Sequence, residues 1–468
     1  MDYSSANTEL WSPIIQIGII AALILLANVL RRKVTLFRKS LMPTAVLAGF
    51  VLLLLRSVGI VKMSTEFLDT LTYHTLALGF IAQSLRIPEK QADDGNLTGL
   101  KSGALIVSTY LVQVLVGFVV SLGLAYTIMP DLFKASGVLL AMAYGQGPGQ
   151  ANNVGGTYEA LGMAGGRSFG LSLAAAGYLC ACIVGVIYLN VINRKKMIHR
   201  AENKGLVSGS VTTEIFQDEN EIPVAESIDR LSVQAALIGM VYLLTYLLTA
   251  GVVWLLETLA PGLAKSVGSL LWGFNFIVGS MVAMACRSVI SGLRKAKVMN
   301  RQYQNNYLLS RLAGLCFDIM IVAGIAGIDI SDLSGNWLPF LLMAVLGGIV
   351  TFAYLRWMSK KLYPGYEYEG FLSMFGMLTG TISSGVLLLR EIDPEFKTPA
   401  SNNLVLGSSF GIAFGFPVLL LVNFAAQGTV QVFATAAIAA AYMVALLILM
   451  FKAKRRNKSG APLEGDTQ

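Results

Sequence analysis

Apolar runs long enough to cross a bilayer recur along almost the whole chain. A hydrocarbon core of about 30 Å needs roughly 20 helical residues. Runs of about that length occupy residues 13–30, 41–60, 67–85, 103–129, 168–191, 231–256, 266–285, 312–330, 337–357, 403–424 and 430–451. Two further segments, 135–166 and 371–397, are hydrophobic but broken by glycine and polar residues. Unbroken runs of this length predict membrane-spanning helices, because a spanning backbone must satisfy its own hydrogen bonds. The pattern therefore predicts an all-α polytopic membrane protein.

Charge decides how the two broken segments are counted. If each is a re-entrant hairpin and the N-terminus lies outside, 28 of the 35 lysines and arginines fall in inside loops and five in outside loops. Making 135–166 a full span would put the basic 194–230 loop outside, against the positive-inside rule. The expectation is two repeats of inverted topology, each with five transmembrane helices and one hairpin. Residues 1–192 form the first repeat, 193–230 a cytoplasmic linker and 231–426 the second repeat. Residues 427–468 add an eleventh helix and a basic cytoplasmic tail. Inverted repeats are how many secondary transporters alternate access around a midplane site. Residues 1–10 are acidic, unlike the basic start of a signal peptide, so the first run is read as a retained helix.

Composition agrees. Only 13% of the 468 residues are charged and 55% are hydrophobic, against about 25% charged in a soluble domain. The net charge of +8 gathers in connecting loops, which points to topology and membrane lipid rather than nucleic acid. Cys180, Cys182, Cys286 and Cys316 lie in or beside apolar runs and read as small buried hydrophobes. With only His74 and His199, no histidine-based metal or catalytic cluster is expected. No HExxH pattern occurs, and the chain is read as a non-enzyme. A channel stays open as a lesser alternative.

Candidate chemistry sits at the two breaks. The first, Ala143-Tyr-Gly-Gln-Gly-Pro-Gly-Gln-Ala-Asn-Asn-Val-Gly-Gly-Thr-Tyr-Glu159, offers Gln146, Gln150, Asn152, Asn153 and Thr157 as substrate-binding donors and acceptors. Helix packing through small residues accounts for the glycines but not for these five. The second break places Thr379, Thr381, Ser383 and Ser384 around Gly380 and Gly385. Closely spaced carbonyls and hydroxyls can replace the water around a small hard cation. Thr381, Ser383 and Ser384 are assigned to substrate and Thr379 to sodium. Arg390 either clamps a substrate carboxylate or pairs with Glu391 or Asp393. Asp318, inside an apolar run, is a candidate cation ligand or proton carrier; its alternative is a hydrogen-bonded structural carboxylate. His74 and Gln113 are assigned to hydrogen bonds between helices, and Glu159 to a cap or rim charge.

The stretch Tyr144-Gly-Gln-Gly-Pro-Gly-Gln-Ala-Asn-Asn153 and the run from Gly376 to Glu395 resemble the paired Gly-rich hairpins of the sodium/glutamate symporter family. The similarity covers most of the chain, including the central cytoplasmic loop. Two features depart from it: Gln146 and Pro148 stand where well-known members carry Gly-Gly-His-Gly, and the chain is longer. The resemblance implies symport of glutamate or a related acidic amino acid or carboxylate, with sodium as coupling ion. It also implies an elevator-like or rocking movement, a homodimer and a cell inner membrane. A proton-coupled carboxylate transporter is the alternative.

Overall fold

The computed structural model describes residues 2–39, 41–87, 93–194, 230–259, 268, 271–273, 275–299, 301–393 and 398–452. Most of the expected linker at 193–230, the tail beyond Lys452 and residues 394–397 lie outside them. In chain order the helices are α1 (Thr8–Lys33), α2 (Thr44–Ser57), α3 (Thr65–Leu85), α4 (Asp93–Ala125), α5 (Pro148–Ala160), α6 (Gly166–Arg194) and α7 (Arg230–Leu259). There follow α8 (Asn275–Lys295), α9 (Asn306–Ala326), α10 (Trp337–Leu362), α11 (Glu367–Thr379), α12 (Ile382–Arg390), α13 (Ala400–Ala425) and α14 (Thr429–Lys452). A short coil of 3₁₀, α and π turns at 134–145 precedes α5. No β-strand occurs among the described residues.

Eight of these helices are long and apolar enough to cross a membrane, or nine if the 45° bent pair Ala400–Ser408 and Phe410–Ala425 is one span. The chain is thus an all-helical protein built to lie in a bilayer. Two expected spans differ. The run at 41–60 is helical only over Thr44–Ser57, 14 residues or about 21 Å at 1.5 Å per residue, because Pro43 delays its start and a positive-φ glycine, Gly59, closes its end. Helix α3 is long enough at 21 residues but carries Glu66, Asp69 and His74, which keep its hydropathy below that of a spanning helix. Helix α8 runs on past the expected end to Arg294 and Lys295, cations that the negative end of a helix dipole favours.

The chain divides into two compact units. Unit 1 contains α3, α7, α8 and α9. Its core joins Ile81, Ala82 and Leu85 of α3 to Ile238 and Val241 of α7, Ala283 of α8, and Leu309 and Ala313 of α9. At one end the last carbonyls of α3 are satisfied by side chains from α8 and α9. Arg287 Nη1 donates to the Ser84 and Arg86 carbonyls at 3.1 and 3.0 Å, and Asn306 Nδ2 donates to the Ile87 carbonyl at 2.8 Å. Such capping meets the otherwise unpaired carbonyls of a helix C-terminus.

Unit 2 contains α1 from Ile17 on, α2, α4 to α6 and α10 to α14. Its helix directions follow from named contacts. Near its start α4 meets Tyr363, the residue after α10 (Ser102 Oγ to Tyr363 hydroxyl, 2.9 Å). Near its end Ser121 Oγ donates to the Lys134 carbonyl at 2.8 Å. Helix α13 begins where Asn403 Nδ2 donates to the Tyr366 hydroxyl and ends where the Tyr158 hydroxyl donates to the Val422 carbonyl. Helices α4 and α13 therefore run one way. Helix α10 runs the other way, from the Tyr144–Ala344 contact to the Tyr354–Ser108 contact.

The tightest packing in unit 2 is between α4 and the 134–145 coil, where Gly117 lies directly on Gly137 backbone to backbone. A Cβ on Gly117 would overlap the Gly137 carbonyl. We expect Gly117→Ala to destabilise the purified protein by about 1–3 kcal/mol, the usual cost of overpacking. Gly123 lies on the same helix with open space around it, so Gly123→Ala should be neutral or slightly stabilising. Equal thermal unfolding of the two variants would contradict this packing.

Candidate functional site

Each expected break is a helical hairpin. In the first, the ends are held together by the rings of Phe133 and Tyr158, with centroids 5.2 Å apart. Its tip is Gln146-Gly147, where Gly147 takes φ 87, a conformation that costs glycine little and other residues more. Pro148 then opens α5 at its first position, where a missing N–H costs nothing. In the second hairpin, α11 and α12 lie against each other so closely that a Cβ on Gly376 would lie 2.8 Å from the Gly385 Cα. Its tip is Gly380-Thr381.

Helix α6 orders both hairpins along one line. Gly166 lies against Gly155, and Gly170 against Ala151, so α5 runs antiparallel to the first half of α6. Gly185 meets Leu388, and the Tyr188 ring is 4.8 Å from that of Phe371, so the second hairpin covers the other half. The two mouths therefore face opposite ends of α6. The stretch from Gly166 to Tyr188 rises about 33 Å, close to a hydrocarbon core, and Gly177 is its midpoint. At Gly177 the tips meet. A Cβ there would overlap the Thr379 carbonyl, so only glycine lets the second tip seat on α6. A Cβ on Gly147 would lie 3.8 Å from the Gly380 carbonyl oxygen and 3.9 Å from Thr381 Cγ2.

The meeting point is polar without carrying a formal charge. Gln150 and Asn152 are 2% and 4% exposed, and their side-chain carbonyl oxygens have no hydrogen-bond partner; nor have the Thr381 and Ser384 hydroxyls. Burying such a group unpaired costs about 1–3 kcal/mol. Two helices also start here, α5 and α12, and neither is closed by a side-chain cap. Their first-turn N–H groups form a positive end that favours anions. From α4, Gln113 Nε2 donates to the Leu378 carbonyl at 2.9 Å and to Thr351 Oγ1 at 3.1 Å, bracing the second tip.

The expected site residues divide accordingly. Gln146 and Thr381 lie in the tips themselves, Gln150 and Ser384 in the first turns behind them, and Asn152 about one turn down α5. Thr379 is there too, but its hydroxyl turns back to the Phe375 carbonyl at 2.7 Å. Asn153 is half-buried one turn down α5. Thr157 is not brought in: it lies near the first mouth and donates to the Asn153 carbonyl at 3.0 Å. Arg390 is the last residue of α12 and exposed, about 13 Å of helix from Thr381, so it lies at the second mouth. The side chain of Ser383 lies outside the described residues. Asp318 belongs to unit 1, on an exposed face of α9. Glu159 pairs with Arg167 at 3.3 Å, the rim role expected of it. Sequence reasoning missed Gly177 and Tyr178, whose buried ring packs on Gly380; both sit in an unbroken apolar run. No group of three or more metal-ligating side chains occurs among the described residues.

No family model matches the chain, and no curated protein matches its sequence.

Replacing Gln113 by leucine would leave the Leu378 carbonyl and the Thr351 hydroxyl buried without this donor. Hydrogen–deuterium exchange should then rise at 376–382 and stay unchanged at 168–175. Unaltered exchange at 376–382 would show that Gln113 does not hold the tip.

Proposed function

We propose that the protein is a secondary active transporter of a cell inner membrane. In this reading it carries a small carboxylate, such as glutamate or a related acidic amino acid, together with sodium by alternating access. The observation that carries the proposal is the meeting of two oppositely directed hairpin tips midway along α6, with unpaired buried oxygens and two uncapped helix N-termini. Broken helices at mid-depth are how many secondary transporters build substrate and ion sites. The resemblance to sodium/glutamate symporters supports the same class. The repeats are read as α4, first hairpin and α6 against α10, second hairpin and α13, inverted in the membrane. The basic loops then put the N-terminus outside and the C-terminus in the cytoplasm.

Chemistry assigns the groups at the tips. The Gln150 and Asn152 carbonyl oxygens accept only, so they suit sodium or a substrate ammonium. The first-turn N–H groups of α5 and α12 suit a carboxylate. The Thr381 and Ser384 hydroxyls both donate and accept, and serve either. Arg390 has no part at the tips in this reading, since its place is at the hairpin mouth.

In proteoliposomes with an inward sodium gradient, labelled glutamate or a related dicarboxylate should accumulate. Gln150→Ala with Asn152→Ala should cut uptake by about tenfold or more, the effect of losing one good hydrogen bond or better, while Arg390→Ala keeps most of it. Uptake indifferent to sodium, or lost with Arg390→Ala and kept with the double variant, would overturn the assignment.

A further inference from the structure

Unit 1 holds a polar cluster that its apolar core does not require. His74 Nδ1 of α3 lies 2.6 Å from the Tyr242 hydroxyl of α7. Asn275 Nδ2 of α8 donates to the same hydroxyl at 3.2 Å. Asn275 is 4% exposed, and its Oδ1 has no hydrogen-bond partner. Beside it the Tyr73 hydroxyl donates to the Trp272 carbonyl at 2.6 Å.

These contacts fix where the protons are. An amide nitrogen only donates, so the Tyr242 oxygen accepts from Asn275. Its single proton is then directed to His74 Nδ1, which makes His74 the neutral imidazole with its proton on Nε2. That arrangement leaves a buried amide oxygen unused. Adding one proton reverses the chain of donors. Nδ1–H now donates to the Tyr242 oxygen, and the Tyr242 proton needs another acceptor. Turning the Asn275 amide over presents Oδ1 to it, which pairs Nδ1–H, the Tyr242 hydroxyl and Oδ1 and moves the Nδ2 donors to the place Oδ1 left. His74 gains one proton and Tyr242 stays neutral.

We infer that His74, Tyr242 and Asn275 form a reversible proton-binding site in unit 1, in which the Asn275 amide turns over as the proton binds. His74 is exposed at the surface of the protein. Among the described residues, the titratable groups around it are Tyr73 on its own helix and Tyr242 on α7. Helix α8 contributes the neutral Asn275. Helix α9 turns Leu312 and Phe317 toward the core and keeps Asp318 on an exposed face. Asp69 is more than a turn away on α3 and has contacts of its own.

The chain has two histidines, so ¹⁵N-histidine labelling of the full-length protein with His199→Gln reports on His74 alone. At about pH 8 the Nε2–H tautomer is expected, with conversion to the doubly protonated ring as the pH is lowered towards about 5. Asn275→Leu removes the acceptor and should lower the ratio of protonated to neutral ring at a given pH by about tenfold, the worth of one hydrogen bond. Tyr242→Phe keeps the ring packing, removes the relay oxygen and should lower the ratio similarly. A proton on Nδ1 at about pH 8, a ring that stays neutral throughout, or a ratio unchanged in either variant would overturn the proposal and leave a purely structural hydrogen bond.

Discussion

Everything in unit 2 follows from two interruptions of helix in its buried interior. A backbone break frees N–H and C=O groups, and each one left unpaired in hydrocarbon costs several kcal/mol. Such breaks persist only where protein surrounds them. Here α4, α6 and α10 form that surround, and the closeness they need sets the sequence. Gly117 meets Gly137, Gly155 meets Gly166, and Gly177 admits the Thr379 carbonyl. Gln113 reaches from α4 to the Leu378 carbonyl. The glycines make the interior narrow enough to shield the breaks, and the long helices supply the walls.

What the shielding leaves over is what gives the site its chemistry. Some buried polar groups near the tips are tied to a partner, as the Thr379 hydroxyl and the Gln113 amide nitrogen are. The amide oxygens of Gln150 and Asn152 and the hydroxyls of Thr381 and Ser384 are not. They stand where two helix N-termini point at one another across a gap of van der Waals width. Unpaired acceptors beside unpaired donors can bind a small ion and an oppositely charged group together. Unit 1 handles polarity differently: the end of α3 is closed by Arg287 and Asn306, and one of its polar clusters is built round a histidine.

The membrane class is legible in the sequence because apolar runs of spanning length have few places to be buried other than a bilayer. Both breaks are legible too, since Gly147-Pro148 and Gly380 stop a helix whatever surrounds them. The roles of individual residues are less legible. Arg390 shares a segment with Thr381 and so reads as a carboxylate clamp, but α12 carries it to the mouth. Thr157 is drawn in by proximity along the chain for the same reason. Gly177 and Tyr178 give no signal, because a position in an apolar run shows neither the direction it faces nor what crosses it. Helix α2 is shorter than its apolar run because hydropathy continues past Gly59, where the backbone turns.

The central claim is that the two hairpins enter from opposite ends of α6 and meet tip to tip. Paired cysteines test it directly: Gly147→Cys with Thr381→Cys, in a protein whose Cys180, Cys182, Cys286 and Cys316 are replaced. A Cβ on Gly147 lies 3.9 Å from Thr381 Cγ2, within the reach of a disulfide. Rapid oxidative cross-linking of this pair is expected, with none between Gly147→Cys and Arg390→Cys. A cross-link in the second pair and none in the first would contradict the account.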